Sequence, residues 1–385
     1  MRTAVTLSTF AAAVVLAGCS TLSSLNPFSS KAEKNPPAPL VDFKPSLTVK
    51  TAWTVSIGAA RGSVFAPALA NDSVFAAASD GTIVRVDAAT GRQVWKVNAG
   101  MSLTAGVGTD GLLVAVAGEK GALIAFDADG KQRWKIQASS EVLASPAVGQ
   151  GLVIVRTVDN RISAYDAETG NRRWVMQRTA PPLTLRAASG IAISGPTAYV
   201  GMPGGRLLAL AVSNGGPRWE VPVGDPKGTT ELERIADVAG TPVVAGRDAC
   251  AVAYQGRVAC FDAVTGAPRW AKDFSSDVGV AVDEHNLYAA DDRGAVNAFV
   301  RDTGTGVWRN NKLANRRLST PAAVSRAVAV GDSQGYVHFL SREDGAFVAR
   351  VATDGSSLTA AVPVVHGRNV IFQTQAGTLV ALATE

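Results

Sequence analysis

The sequence predicts an all-β protein, an eight-bladed β-propeller of four-stranded blades whose ring closes when the N-terminal strand joins the C-terminal blade. Two observations carry this expectation. All seven tryptophans fall in one repeating pattern, and the copy of that pattern at the C-terminus is cut short where a lone Trp53 stands near the other end. Composition agrees. With 38 glycines, 47% hydrophobic residues and only 18% charged ones, the chain suits many short strands joined by tight turns better than helices. A toroid of repeats also accounts for 385 residues as one folded unit.

The first segment is not part of that unit. Arg2 is followed by an apolar stretch, Val5 to Ala17, which has the length of a signal core and is short for a bilayer span. It ends in Leu16-Ala17-Gly18-Cys19, which resembles a bacterial lipobox. Residues 1–18 are therefore expected to be a lipoprotein signal peptide, and Cys19 the lipidated N-terminus of the mature chain. Ser20 follows the cysteine. An Asp there would signal retention at the inner membrane, so the expected location is the outer membrane, lipid-anchored on its periplasmic face. Residues 19–45 are rich in Ser, Pro and Asn, with Pro36, Pro37 and Pro39. They read as a flexible tether, because such a composition buries too little apolar surface to fold alone. Residues 46–385 are left for the propeller.

The repeat begins in full with Val64–Leu69 as an inner strand, Ser73–Ala78 as the second, Gly81–Asp87 as the third and Arg92–Val97 as the outer strand. Asp80-Gly81 and Thr90-Gly91 supply turn chemistry. Later copies run through Asp127 to Trp134, Asp166 to Trp174, Asn214 to Trp219, Asp262 to Trp270 and Thr303 to Trp308. The seventh copy has Ala349 where the tryptophan belongs, and the eighth starts at Gly377 and runs out at the C-terminus. A tryptophan at a fixed place in each blade is a packing device between neighbouring sheets. Asp87, Asp127, Asp166 and Asp262 recur with the repeat, so they read as turn residues and not as catalytic groups.

Function is sought where the repeat is interrupted. Most neighbouring tryptophans are 38 to 42 residues apart, but Trp174 to Trp219 spans 45 and Trp219 to Trp270 spans 51. The surplus falls in 178–188 and 224–240, two connections from an outer strand to the next blade's inner strand. Alternating strand direction puts both on one face, from neighbouring blades, and enlarged loops on one face of a repeat protein often bind partners. Leu183 and Leu185 alternate with Thr184 and so point the same way if extended. Arg186 stands beside them, and the second loop offers Glu231, Glu233, Arg234 and Asp237. An apolar pair next to an arginine suits a protein-binding hot spot, with charges to orient it.

Other chemistry is sparse. Cys250 and Cys260 flank a turn, which leaves them opposite or one register apart on adjacent strands. A disulfide and two buried thiols both remain open. His285, His338 and His366 lie in three different blades, so no metal site is expected. A net charge of +5 and the lack of long like-charge runs argue against nucleic acid.

The periodic Asp-x-x-Thr-Gly-x-x-x-Trp pattern resembles the tryptophan-docking propellers of the quinoprotein (PQQ) dehydrogenase superfamily. Within it, the chain after the tether resembles the BamB family of outer-membrane β-barrel assembly lipoproteins. The resemblance is carried by Leu183-Thr184-Leu185-Arg186, residues 228–238, Thr241–Val244 and Gly331–Tyr336. It implies a non-catalytic subunit of the BAM complex that docks on a periplasmic POTRA domain of BamA through Leu183, Leu185, Arg186 and Asp237. Contact with unfolded outer-membrane proteins through strand edges is a further implication. Ala239 stands where the family pattern has a second Asp, which removes part of the acidic contact. The superfamily also holds PQQ-dependent dehydrogenases, with longer chains, a Ca²⁺ site and often a disulfide between adjacent cysteines. This sequence has no such pair and no insertions to build a deep pocket, so neither cofactor nor catalytic residue is expected. A propeller lipoprotein for another envelope partner is the remaining alternative.

Overall fold

The computed structural model describes residues 35–179, 181–185, 188–358 and 362–385. Eight four-stranded antiparallel sheets form the blades of a propeller, and each pairs its strands in chain order. Blades one to seven cover residues 68–98, 108–137, 147–177, 191–222, 238–274, 280–310 and 322–352. The eighth is composite: three strands from 364–384 are completed by Val49–Ser56 as the outer strand. Val49 pairs with Thr384 and Ser56 with Thr378, with a bulge between Thr51 and Trp53.

Burial follows from the stacking of sheets on both sides. The second strands Ser73–Ala77 and Leu113–Ala117 are buried at every position, as expected of strands with no solvent face. Outer strands alternate instead: Gln132–Gln137 buries Trp134 and exposes its neighbours. Inner strands are short. In blade one the inner strand starts at Ala68, four residues later than the apolar run suggests, because Pro67 has no N–H to give to a ladder.

The tryptophans join each blade to the next. Every indole Nε1 donates to a turn carbonyl of the following blade: Trp53 to Ala88, Trp95 to Ala128, Trp134 to Ala167 and Trp174 to Val212. Trp219, Trp270 and Trp308 donate likewise to Ala263, Arg301 and Arg342. The accepting turn is shaped by the repeat aspartate. Asp87 Oδ1 accepts from the N–H and hydroxyl of Thr90, and Asp166 and Asp262 repeat this with Thr169 and Thr265. The Thr265 backbone N–H, with Arg247, holds the Asp262 carboxyl down to about 2. The glycine after the threonine lets the ring lie flat on the turn. Gly304 has φ +68°, and a Cβ there would sit 2.5 Å from the Trp270 ring.

Cys250 and Cys260 are directly opposite in the second and third strands of blade five, with Cα atoms 4.1 Å apart, and form a disulfide. Both are buried. His338 is buried in blade seven, and His285 is exposed. Among the described residues no group of three His, Cys, Asp or Glu is placed to hold a metal.

The folded unit begins earlier than the composition suggests. The compact unit begins at Pro37, not at residue 46. Backbone groups and an aromatic ring between 38 and 47 are bonded to blade seven, and this packing overrides a proline-rich, polar composition.

Two outcomes test this architecture. Gly304→Ala should destabilise the protein by about 2–4 kcal/mol, since left-handed strain of about 1–2 kcal/mol is joined by displacement of the Trp270 ring. Gly367→Ala, with φ +58° and nothing within 4 Å of the added carbon, should show the strain alone; equal losses in chemical denaturation would remove the docking contribution. Replacing both Cys250 and Cys260 by Ala should cost about 2–3 kcal/mol for a loop this short. Intact mass under denaturing, non-reducing conditions should show the native chain two hydrogens lighter than its reduced form.

Candidate functional site

The two enlarged connections lie side by side on the face where outer strands return to inner ones. The residue that joins them is Asp237. Its Oδ2 accepts from the Leu185 N–H at 2.7 Å, and its Oδ1 accepts from the Gly204 N–H at 3.0 Å. One carboxylate thus ties the loop after blade three, a turn of blade four and the loop before blade five. It is 3% exposed. The sequence reading offered Asp237 as an acidic contact for a partner; the structure instead commits both its oxygens inside the protein, where it positions the loops. A buried carboxylate must be hydrogen-bonded, and backbone N–H groups meet that need here.

Leu183 and Leu185 are exposed by 44% and 36%. With Asp237 holding Leu185's backbone, the pair is presented on an anchored segment. Arg186 lies outside the described residues. Leu185 also borders a cavity of about 420 Å³ at the ring axis, with Val64, Thr104, Leu143, Val278 and Thr320.

The charges on the second loop are used within it. Glu233 accepts from the backbone N–H groups of Thr229 and Thr230, while the Thr230 hydroxyl accepts from the Glu233 N–H. This reciprocal arrangement is a capping box. The bonds from Thr230 and Thr229 hold the Glu233 carboxyl below its usual range. Arg234 donates to the Gly228 carbonyl and pairs with Glu231 at 3.4 Å. The product of this wiring is Leu232, 69% exposed at the tip. Sequence reasoning missed Leu232. Its signal was present in Thr230-Glu231-Leu232-Glu233, a Thr-x-x-Glu box that predicts a rigid turn with the intervening leucine outside.

Beneath the first loop is a cavity of about 240 Å³ lined by Arg156, Asn160, Thr184, Ser189 and Asp237, among others. Burial pulls the Arg156 guanidinium below its usual range, and the Asp237 charge opposes that shift. Asn160 Nδ2 bonds the carbonyls of Arg178 and Thr179, so the loop's departure from blade three is fixed as well. The site is therefore three exposed leucines on two loops, one fastened by the buried Asp237 and the other by the exposed capping box of Thr230 and Glu233. Such a surface can bind a complementary apolar one.

Comparison with known proteins agrees with this architecture. The family model described as "Outer membrane protein assembly factor BamB" matches residues 79–310 and 292–385. A protein of that name from Bordetella pertussis is 44% identical over 369 residues, 96% of this chain and 95% of the relative. One from Burkholderia pseudomallei is 44% identical over 377 residues, 98% of this chain and 97% of the relative. The crystal structure of BamB from Moraxella catarrhalis superposes with a TM-score of 0.79 at 28% identity, covering 87% of this chain and all of that one. The quinohemoprotein alcohol dehydrogenase of Comamonas testosteroni shares the fold, with a TM-score of 0.69 at 15% identity over 87% of this chain and 76% of its own. The repeat, the composite eighth blade and these matches together show that the chain belongs to the BamB family of outer membrane protein assembly factors.

Proposed function

We propose that this chain is a non-catalytic scaffold lipoprotein of the outer-membrane barrel-assembly machinery, anchored by Cys19 on the periplasmic face. It docks onto the POTRA region of BamA and so aids the insertion of β-barrel proteins. The observation that carries this reading is the trio Leu183, Leu185 and Leu232, exposed on two adjacent loops that Asp237 and Glu233 hold in place. Apolar side chains on rigid loops lose little freedom on binding, so more of the gain from burying them appears as affinity. Arg186, next in the chain to Leu185, adds a donor that suits a carboxylate or backbone carbonyl of the partner. Glu231 and Arg234 act from the rim. A disulfide in blade five supports an oxidising compartment, which agrees with a lipobox that directs the chain out of the cytoplasm.

The alternative, a PQQ-dependent dehydrogenase, fits the residues poorly. The axial cavity is lined by aliphatic side chains such as Leu143, Leu185 and Val278, by small residues and by one carboxylate, Asp277, whose pKa burial raises. PQQ carries three carboxylates, and among the described residues no cationic side chain lines that cavity to receive them. The disulfide joins opposite strands and not adjacent residues.

Leu183→Ala/Leu185→Ala and Leu232→Asp should each reduce co-purification of BamA from membranes by about tenfold or more, a loss of about 1.4 kcal/mol or greater. Arg186→Glu should act similarly, with melting temperatures unchanged in all three. Recovery of BamA at the wild-type level by the leucine variants would overturn the reading. Asp237→Ala should lower both binding and melting temperature, since it strands two backbone N–H groups.

A further inference from the structure

Seven seams of the ring have a tryptophan. The eighth, between blades seven and eight, has Ala349 in its place. Residues 38–48 occupy that region. They run along the outer side of blade seven, from the face of the outer-to-inner connections to the opposite face. At the upper end the Ala38 N–H donates to the Ala314 carbonyl at 2.9 Å. Lower down, Phe43 packs on Phe347 with centroids 5.5 Å apart. At the lower end Ser46 and Leu47 both donate to the Val348 carbonyl, and Arg326 donates to the Ser46 carbonyl. Leu47 is 4% exposed and packs with Val348, Ala349, Phe339 and Leu382.

Blade seven carries a buried polar chain whose ends reach this segment. Arg316, 2% exposed, donates to Asp332 Oδ2 at 2.6 Å and to the Gln334 side chain. Asp332 contacts His338 Nε2 at 2.8 Å, and Arg350 Nε donates to His338 Nδ1 at 3.2 Å. Because Nδ1 accepts, Nε2 bears the proton and donates to Asp332. Each arginine also bonds the backbone of residues 38–48. Arg316 Nη1 donates to the Ala38 carbonyl at 2.7 Å, and Arg350 Nη2 to the Val41 carbonyl at 3.1 Å. The Arg350 guanidinium also lies 5.1 Å from the centroid of the Phe43 ring.

The closing strand follows directly. Val49–Ser56 is held by its pairing with Thr378–Thr384, and its first residue is the end from which a pull on the preceding chain would peel it. We propose that residues 38–48 are a strap with two duties: it staples the eighth seam, and it takes up load from the preceding segment before that load reaches the closing strand. The second duty rests on the reading that Cys19 is membrane-anchored; the first does not. Force entering at Pro37 meets Arg316, Arg350 and Phe43 in turn, and the pairing that closes the ring lies behind them.

Amide hydrogen exchange on the full chain tests the staple without reference to the anchor. Replacing residues 38–45 by Gly and Ser at equal length should speed exchange of Val49–Ser56 and Thr378–Thr384 at least tenfold. Loops 181–190 and 228–237, and BamA co-purification, should be unchanged. Phe43→Ala is the milder variant, expected to move the same amides less should the replacement fail to fold. Acceleration confined to residues 38–47 and 347–352, with the closing strands unchanged, would overturn the proposal. The load-bearing duty is read by pulling single molecules through residue 20 and Glu385. The replacement should open the ring at a lower force than wild type, and equal forces would remove that duty while leaving the staple.

Discussion

A propeller depends on an interaction between blades, because no blade is stable by itself. Each sheet has two apolar faces, and a four-stranded sheet that leaves one in water gains too little to offset its ordering. In this protein the recurring device is an indole that lies on a glycine turn of the next blade and donates its N–H to that turn's carbonyl. The apolar ring supplies area, roughly 150–250 Å² for each tryptophan, while the hydrogen bond fixes the angle at which the next sheet stacks. The aspartate and threonine of the turn exist to aim that carbonyl. Residues that look like candidates for catalysis, repeated carboxylates near exposed hydroxyls, are therefore consumed by geometry.

This coupling explains what was legible in the sequence. Tryptophan, glycine and the Asp-x-x-Thr-Gly turn are sequence-local, so their spacing disclosed the blade count and the composite eighth blade. The opposite register of Cys250 and Cys260 was legible only to within one residue, since the turn between them leaves the register open. The strap was not legible. Its anchors, Arg316 and Arg350, lie about three hundred residues away in the chain, and its own Ala, Pro and Val have no periodicity. The burial of Asp237 was not legible for a related reason. Composition marks an aspartate in a loop as solvated, but the two amides that bury it come from Leu185 and Gly204, on other elements. Leu232 was overlooked because the charges around it drew the eye, when their pairing with one another is what leaves the leucine outside.

The two polar clusters serve different ends by the same physics. At the two long connections, Asp237 and Glu233 satisfy backbone donors that would otherwise be left to water, and so fix the path of each loop. In blade seven, Arg316, Asp332, His338 and Arg350 are nearly or partly buried and relay hydrogen bonds to carbonyls of a segment distant in sequence. Buried networks are costly when one member is removed, so the groups around Asp237 and those of blade seven also act as specificity devices: only one placement of the first loop or of the strap satisfies them.

The ring therefore has one seam of a different kind. Seven seams are built by repetition and would accept another blade of the same pattern. The eighth is not, because Ala349 stands where the tryptophan would, and a tryptophan there would have to share the space that Leu47 fills. Substituting a strap for a ring of carbon and nitrogen exchanges a local contact for one that spans the height of the blade. A tryptophan holds two sheets together, whereas a strap also holds the chain that enters them. Residues 38–48 enter the ring at this seam, so reinforcement there also protects the pairing of Val49–Ser56 that closes it.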